Sequence, residues 1–104
     1  MVRETLQQIL DLLHKHDEAS LAHKLTAALS ADDKALWDFL VSNTVWGGAG
    51  SIADQALSDR PKALAELECL MIRLGHEQMR LGRTNERTEM WVHAFEKWQA
   101  EGLR

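Results

Sequence analysis

The sequence predicts an all-α protein, folded as a single compact bundle of five or six helices with a glycine-rich corner in the middle. Apolar residues recur at helical spacing in successive segments, and no segment alternates apolar and polar residues as a half-buried strand would. The 104 residues, 45% hydrophobic and 27% charged, match one globular domain in size and composition. We therefore treat residues 1–104 as a single helical domain.

Three helices are predicted before the corner. Residues 2–16 carry a stripe of leucine and isoleucine, and residues 18–29 carry a shorter leucine stripe with Asp17 as the candidate N-cap. Ser30 has the position and the side chain of an N-cap for the third helix. The apolar stripe of that helix fades at residues 42–43 and consists of Leu36, Trp37, Leu40 and Val41.

Two helices are predicted between the corner and residue 82. A short helix over residues 52–58 precedes the longest helix, in which Pro61 falls in the first turn and Gly82 is the stop signal. Gly75 lies inside the apolar stripe of the long helix. It marks either a close helix crossing or an early end of that helix.

The last predicted helix covers residues 84–101, with Thr84 as its N-cap and Gly102 at its end. Its apolar face is an aromatic stripe formed by Trp91, Phe95 and Trp98. We expect this stripe to be core, with a part that serves a partner, because tryptophan is over-represented at interface hot spots. The polar rim of such an interface would come from Arg83, Asn85 and Arg87.

The glycine-rich corner, residues 46–54, is the most informative stretch of the chain. Glycine is costly to order, so Gly47, Gly48 and Gly50 indicate backbone conformations or close contacts that other residues cannot supply. We predict a positive φ at one or more of these glycines. Ser51 is predicted to cap the following helix, and Asp54 to complete a capping-box-like arrangement with it.

Two interpretations of the corner stay open. In the structural one, a tight turn lets two helices meet closely around Trp46. In the other, the amides of Gly48 to Ser51 bind an anion, Trp46 walls the pocket, and Asp54 orients a substrate or takes a proton. Positive charge for that site would come from Arg73 or Arg80. The phosphate-loop ending Gly-Lys-Ser/Thr and a preceding strand are both absent from the sequence.

Composition argues against several partners. The net charge of −4 does not favour nucleic acid, and no apolar run approaches the roughly 18–20 residues of a membrane span. Cys69 is the only cysteine, which excludes an intramolecular disulfide. Because residues 1–20 also lack a signal-like apolar segment, we expect a cytoplasmic protein.

No catalytic residue, metal or cofactor is predicted. The five histidines lack the spacings of metal ligands, and there is no cysteine pair or His-Glu-x-x-His motif. Ser51 does not lie in the Gly-x-Ser-x-Gly context of a nucleophile elbow.

Residues 45–54 resemble an uncharacterised bacterial family of small helical proteins, which is marked by a Trp/Phe-Gly-Gly-x-Gly-Ser-x-x-Asp motif. The motif positions in this chain are Trp46, Gly47, Gly48, Gly50, Ser51 and Asp54. A leucine-rich helix before the motif and a tryptophan-bearing closing helix extend the resemblance. It implies a bacterial cytoplasmic protein, and it assigns no chemical role to these residues.

Two functions are compatible with these features. The leading hypothesis is a non-enzymatic interaction module that binds another protein or a second copy of the chain. It rests on four tryptophans, an acidic first half and the missing catalytic set. By analogy, small acidic helical proteins often act as immunity or accessory proteins beside toxins. The alternative is a small-ligand or anion-binding protein, or an enzyme, centred on residues 46–54.

Overall fold

The computed structural model describes residues 2–102, and within that range it contains helices and no strand. Of the helices in the described residues, five have eight residues or more, and two are single turns. The helices are α1 (Val2–Lys15), α2 (Ala19–Ser30), α3 (Asp33–Leu40), α4 (Asn43–Trp46), α5 (Ile52–Gln55), α6 (Pro61–Leu81) and α7 (Thr88–Ala100). The predicted all-α bundle is therefore confirmed.

Helix α6 is the axis of the bundle. Its 21 residues span roughly 30 Å, and it packs against α1 on one side and α7 on the other. Helix α1 also packs against α2, and the single-turn helices α4 and α5 contact each other at the corner. The buried apolar side chains form one continuous cluster, so the helices share a single core.

The end of α6 confirms the predicted stop at Gly82. This glycine has a left-handed φ of 68°, and the Arg83 N–H donates to the Gln78 carbonyl at 3.0 Å. That bond across the turn is typical of a Schellman motif, in which glycine adopts the left-handed conformation without steric cost. Gly102, with a φ of 73°, also follows the predicted end of its helix.

The predicted caps of the second and third helices are wrong. Asp17 does not cap α2 but ends α1 in a left-handed conformation, with a φ of 62°, and Glu18 precedes α2 without a side-chain cap. Ser30 is still helical, and Asp32 caps α3 by accepting the Ala35 N–H at 2.9 Å. Several neighbouring residues could serve as caps, and the turn between the helices decided among them.

The predicted cap of the last helix is also wrong. Thr84 lies outside α7, which begins at Thr88 after Arg87. The turn before it is organised by Asn85, whose N–H donates to Thr88 Oγ1 at 3.0 Å and whose Oδ1 accepts the Arg87 N–H at 2.9 Å. Asn85 also donates to the Val41 carbonyl at 2.8 Å, which ties this turn to the end of α3.

Gly75 marks a close helix crossing, one of the two predicted alternatives. A Cβ atom at this position would overlap Val92 Cγ2 of α7 and lie 3.3 Å from Trp46 Cη2. The missing side chain lets α6, α7 and the Trp46 ring pack against one another. In the described part of the chain, no helix combines the length and the apolar character that crossing a membrane requires.

Candidate binding cleft

Trp46 is an interior residue. Its side chain is fully buried, and its indole N–H donates to Gln78 Oε1 at 3.0 Å. The Gln78 amide donates in turn to the carbonyls of Leu40 and Arg83, both at 3.1 Å. This network joins α4 and α6 to the last residue of α3 and to the turn that follows α6. Trp46 therefore packs away from solvent and does not wall an open pocket, which agrees with the structural interpretation of the corner.

Each glycine of the corner is required, or tolerated, for a different structural reason. Gly50 has a φ of +86°, which confirms the predicted positive φ. Gly47 has an extended backbone, and a Cβ there would collide with the carbonyl oxygen of Asn43. At Gly48 an added Cβ would meet only the end of the Arg87 side chain, at 3.0 Å. The corner is therefore constrained at two of its glycines and tolerant at the third.

Ser51 caps α5 as predicted. Its buried hydroxyl accepts the Asp54 N–H at 3.1 Å and donates to the Gly47 carbonyl at 2.8 Å. The backbone N–H of Ser51 donates to the Gly48 carbonyl at 3.1 Å. The hydroxyl and the backbone N–H of Ser51, two of the groups that could have bound an anion, are therefore bonded within the corner itself.

Asp54 does not complete the predicted capping box. Its side chain is exposed, and its carboxylate accepts no hydrogen bond from residues 2–102. The physical reason is that the Ser51 N–H, which a capping-box carboxylate would accept, already donates to Gly48. The apolar neighbours of Asp54 in the sequence face the core, while Asp54 itself faces outward from the same helical turn.

A cleft of about 540 Å³ lies beside the corner and includes Asp54 in its lining. Three elements and one connecting residue build it. Its lining residues are Ala53 and Asp54 of α5, Ser58 of the connection, Pro61, Leu64 and Glu68 of α6, and Trp91, Phe95 and Trp98 of α7. We call this site the corner cleft.

One wall of the corner cleft is the predicted aromatic stripe. Phe95 is buried, whereas Trp91 and Trp98 are half-buried. The Trp91 and Phe95 rings are stacked with centroids 5.6 Å apart, and the Phe95 and Trp98 rings are tilted with centroids 5.9 Å apart. The Trp91 indole N–H donates to the Trp46 carbonyl at 3.0 Å, which holds the wall against the corner.

Sequence reasoning missed the α6 side of the corner cleft. Glu68 lies on the apolar stripe of α6, four residues after Leu64 and three before Met71, and its side chain is only 1% exposed. A glutamate at a core position of the helical period was the signal that could have found it. Ser58 carried no such signal. Ser58 comes directly after Leu57, a buried residue whose left-handed φ of 58° turns the chain at this point.

The predicted arginines do not join the corner cleft. Arg73 donates to Gln8 of α1 at 2.9 Å, and Arg80 lines a separate groove beside Trp37 and Leu81. The Arg83 guanidinium lies 4.9 Å from the centre of the Trp37 ring. Arg87 is the exception that approaches the corner, next to Gly48. No basic side chain is among the described residues that line the cleft.

The described residues contain no group of three or more histidine, cysteine, aspartate or glutamate side chains placed to hold a metal ion. Comparisons with protein-family models, with curated proteins and with solved structures gave no match to this chain. The resemblance of residues 45–54 to a bacterial family therefore stays a prediction, and the cleft has to be interpreted from its own chemistry.

Proposed function

We propose that this chain is a non-enzymatic protein-interaction module that binds another protein, or a second copy of itself, at the corner cleft. The observation that carries the proposal is the aromatic wall, in which Trp91 and Trp98 stay half-exposed on either side of buried Phe95. Partly exposed tryptophans around a concave surface are typical of the residues that dominate binding energy at interfaces.

The complete burial of Trp46 makes the partial exposure of Trp91 and Trp98 informative. The fold buries the Trp46 side chain completely and gives its N–H a buried acceptor. Trp91 and Trp98 keep part of their surface open at a cleft of about 540 Å³, so they are available to a partner. The motif resemblance of residues 45–54 supports a bacterial cytoplasmic setting for this interaction.

A small-ligand-binding protein is the second candidate. The cleft volume favours it, because about 540 Å³ lies within the range of about 300–1,000 Å³ typical of ligand pockets. An anion is the less suitable ligand, since both ionisable side chains among the described lining residues, Asp54 and Glu68, are acidic.

Site-specific photo-crosslinking in a bacterial host tests the proposal. A photoreactive phenylalanine derivative at Ser58, which is exposed and lines the cleft, should give a discrete protein adduct. The same group at Lys24, exposed on α2 and outside the cleft, is the matched control and should give none. An adduct of twice the 11.8 kDa chain mass would identify a second copy as the partner.

Trp98→Ala should remove the Ser58 adduct while circular dichroism shows that the helices are retained. Identical crosslinking from Ser58 and Lys24 would contradict the proposal. So would the absence of any Ser58 adduct, together with a monomer at every concentration in sedimentation velocity.

A further inference from the structure

Building on the proposed function, we infer that the partner places a basic side chain, lysine or arginine, in the corner cleft. Its charged group would lie at the Asp54 carboxylate, and its stem or guanidinium plane would pack on the aromatic wall. Three features of the described residues lead to this occupant: the charge of the lining, the state of Asp54 and the chemistry that the tryptophans leave available.

The lining of the cleft is acidic and aromatic. Its ionisable side chains within residues 2–102 are Asp54, which is exposed, and Glu68, which is buried. A carboxylate ligand would be repelled by Asp54. A neutral apolar side chain would fill the volume but would strip water from the Asp54 carboxylate without replacing its hydrogen bonds. A cation supplies those bonds in their stronger, charge-assisted form.

The Asp54 carboxylate is not used in the hydrogen bonding of the corner. Its backbone N–H takes part in the Ser51 cap, while its carboxylate accepts no hydrogen bond from the described chain. The cap therefore fixes the backbone of Asp54, and the exposed carboxylate remains open to an incoming donor. An exposed carboxylate beside the cleft can therefore accept a charge-assisted hydrogen bond from a cationic side chain.

The tryptophan wall offers aromatic surface to an occupant. The Trp91 N–H is already engaged by the Trp46 carbonyl, so an occupant of the cleft meets the ring surface of Trp91 and not its donor. Tryptophan faces attract lysine and arginine cations more strongly than the other aromatic residues do. The same chain uses this chemistry elsewhere, where the Arg83 guanidinium lies over the Trp37 ring.

Charge across the molecule favours the same occupant. The net charge is −4, so the long-range field attracts basic surfaces. Arg73 and Arg83 are engaged on other surfaces, with Gln8 and Trp37 respectively, and neither lines the cleft.

The direct test uses minimal probes on the full chain. Nα-acetyl-lysine amide and Nα-acetyl-norleucine amide, an uncharged analogue that lacks the ammonium group, are titrated into ¹⁵N-labelled protein, and the tryptophan indole N–H signals are followed by NMR. Lysine should shift the Trp98 and Trp91 signals with millimolar affinity. Trp46, which is fully buried, and Trp37, which lines a separate groove, are internal controls and should move less.

Asp54→Asn should weaken the lysine probe about two- to five-fold, the scale of one exposed ion pair, and leave the norleucine probe unchanged. Asp59→Asn removes the same charge at an exposed residue outside the cleft lining and should have the smaller effect. Raising NaCl from about 50 mM to about 500 mM should weaken the lysine probe as Asp54→Asn does.

Equal binding of lysine and norleucine would overturn the inference, and so would lysine shifts that Asp54→Asn leaves unchanged. Either result would leave the crosslinking test of the interaction module untouched. Conversely, lysine binding at Trp91 and Trp98, with no Ser58 adduct and a monomer at every concentration, would reject the protein partner and assign the cleft to a free organic amine.

Discussion

The two faces of residues 46–54 are built in opposite ways. On the inner face, Trp46 is buried and bonded to Gln78, and the Ser51 hydroxyl both accepts and donates a hydrogen bond. On the outer face, the Asp54 carboxylate accepts nothing from residues 2–102 and borders an open cleft. The buried, hydrogen-bonded groups therefore stabilise the fold, whereas the Asp54 carboxylate is exposed at the cleft and makes no such bond.

Stability should therefore reside on the inner face and recognition on the outer one. A buried polar group that loses its partner pays the full desolvation penalty, whereas a solvated carboxylate that loses its charge does not. Four groups of substitutions, with successively smaller expected losses of stability, test this division between the two faces.

Trp46→Ala should lower the free energy of unfolding by about 3–5 kcal/mol, because it leaves a large cavity in the core. Trp98→Ala, on the outer side, should lower it by less than about 2 kcal/mol, since that ring is half-exposed. Urea unfolding followed by circular dichroism measures both values. Equal losses would mean that the aromatic wall is as structural as Trp46.

Gln78→Leu should cost about 2–3 kcal/mol, because the buried Trp46 N–H loses its acceptor and two carbonyls lose a donor. Gln55→Leu makes the same change at an exposed position and should stay within about 0.5 kcal/mol. A double-mutant cycle with Trp46→Phe should show a coupling energy of about 1 kcal/mol or more. Additive effects would show that the two side chains act independently.

The three corner glycines should rank by geometry. Gly47→Ala should cost about 1–3 kcal/mol, because its Cβ collides with the Asn43 carbonyl. Gly50→Ala should cost about 1 kcal/mol for a left-handed alanine. Gly48→Ala should change stability by less than about 0.5 kcal/mol, since only the mobile end of Arg87 must move. Thermal melts of the three variants measure this order. A different order would show that the local geometry at these glycines does not set their cost.

Ser51→Ala should cost about 1–2 kcal/mol through the lost helix cap. Asp54→Asn should stay within about 0.5 kcal/mol of the wild type, as expected for an exposed carboxylate without a structural bond. Urea melts of the two variants compare the two faces within one helical turn. A loss near 1 kcal/mol for Asp54→Asn would restore the capping role and remove the argument for its availability.

Much of the fold could be predicted because its determinants are local. The helical spacing of apolar residues indicated the five longer helices, and Gly82 and Ser51 behave as stop and start signals should. The left-handed Gly50 followed from glycine clustering next to a helix start. These features depend on residues within one or two turns of each other.

The errors arose where local candidates competed. Asp17, Ser30 and Thr84 all have acceptable cap chemistry, yet the chain used Asp32 for α3 and an Asn85–Thr88 turn before α7. Asp54 has the right spacing for a capping box, but the Ser51 N–H was already engaged by Gly48. A hydrogen-bond donor can serve one strong acceptor at a time, and the sequence does not show which acceptor wins.

The helical class, the glycine-rich corner and the aromatic stripe of the last helix could be predicted from the sequence, because periodicity and backbone permissiveness are properties of neighbouring residues. Tertiary packing brings Trp46 to Gln78, 32 positions away, and places Asp54, Glu68 and the stripe around one cleft. The reason is that an apolar stripe identifies the buried face of a helix but not the element that packs against that face. Which element packs against each face depends on the packing of the whole chain.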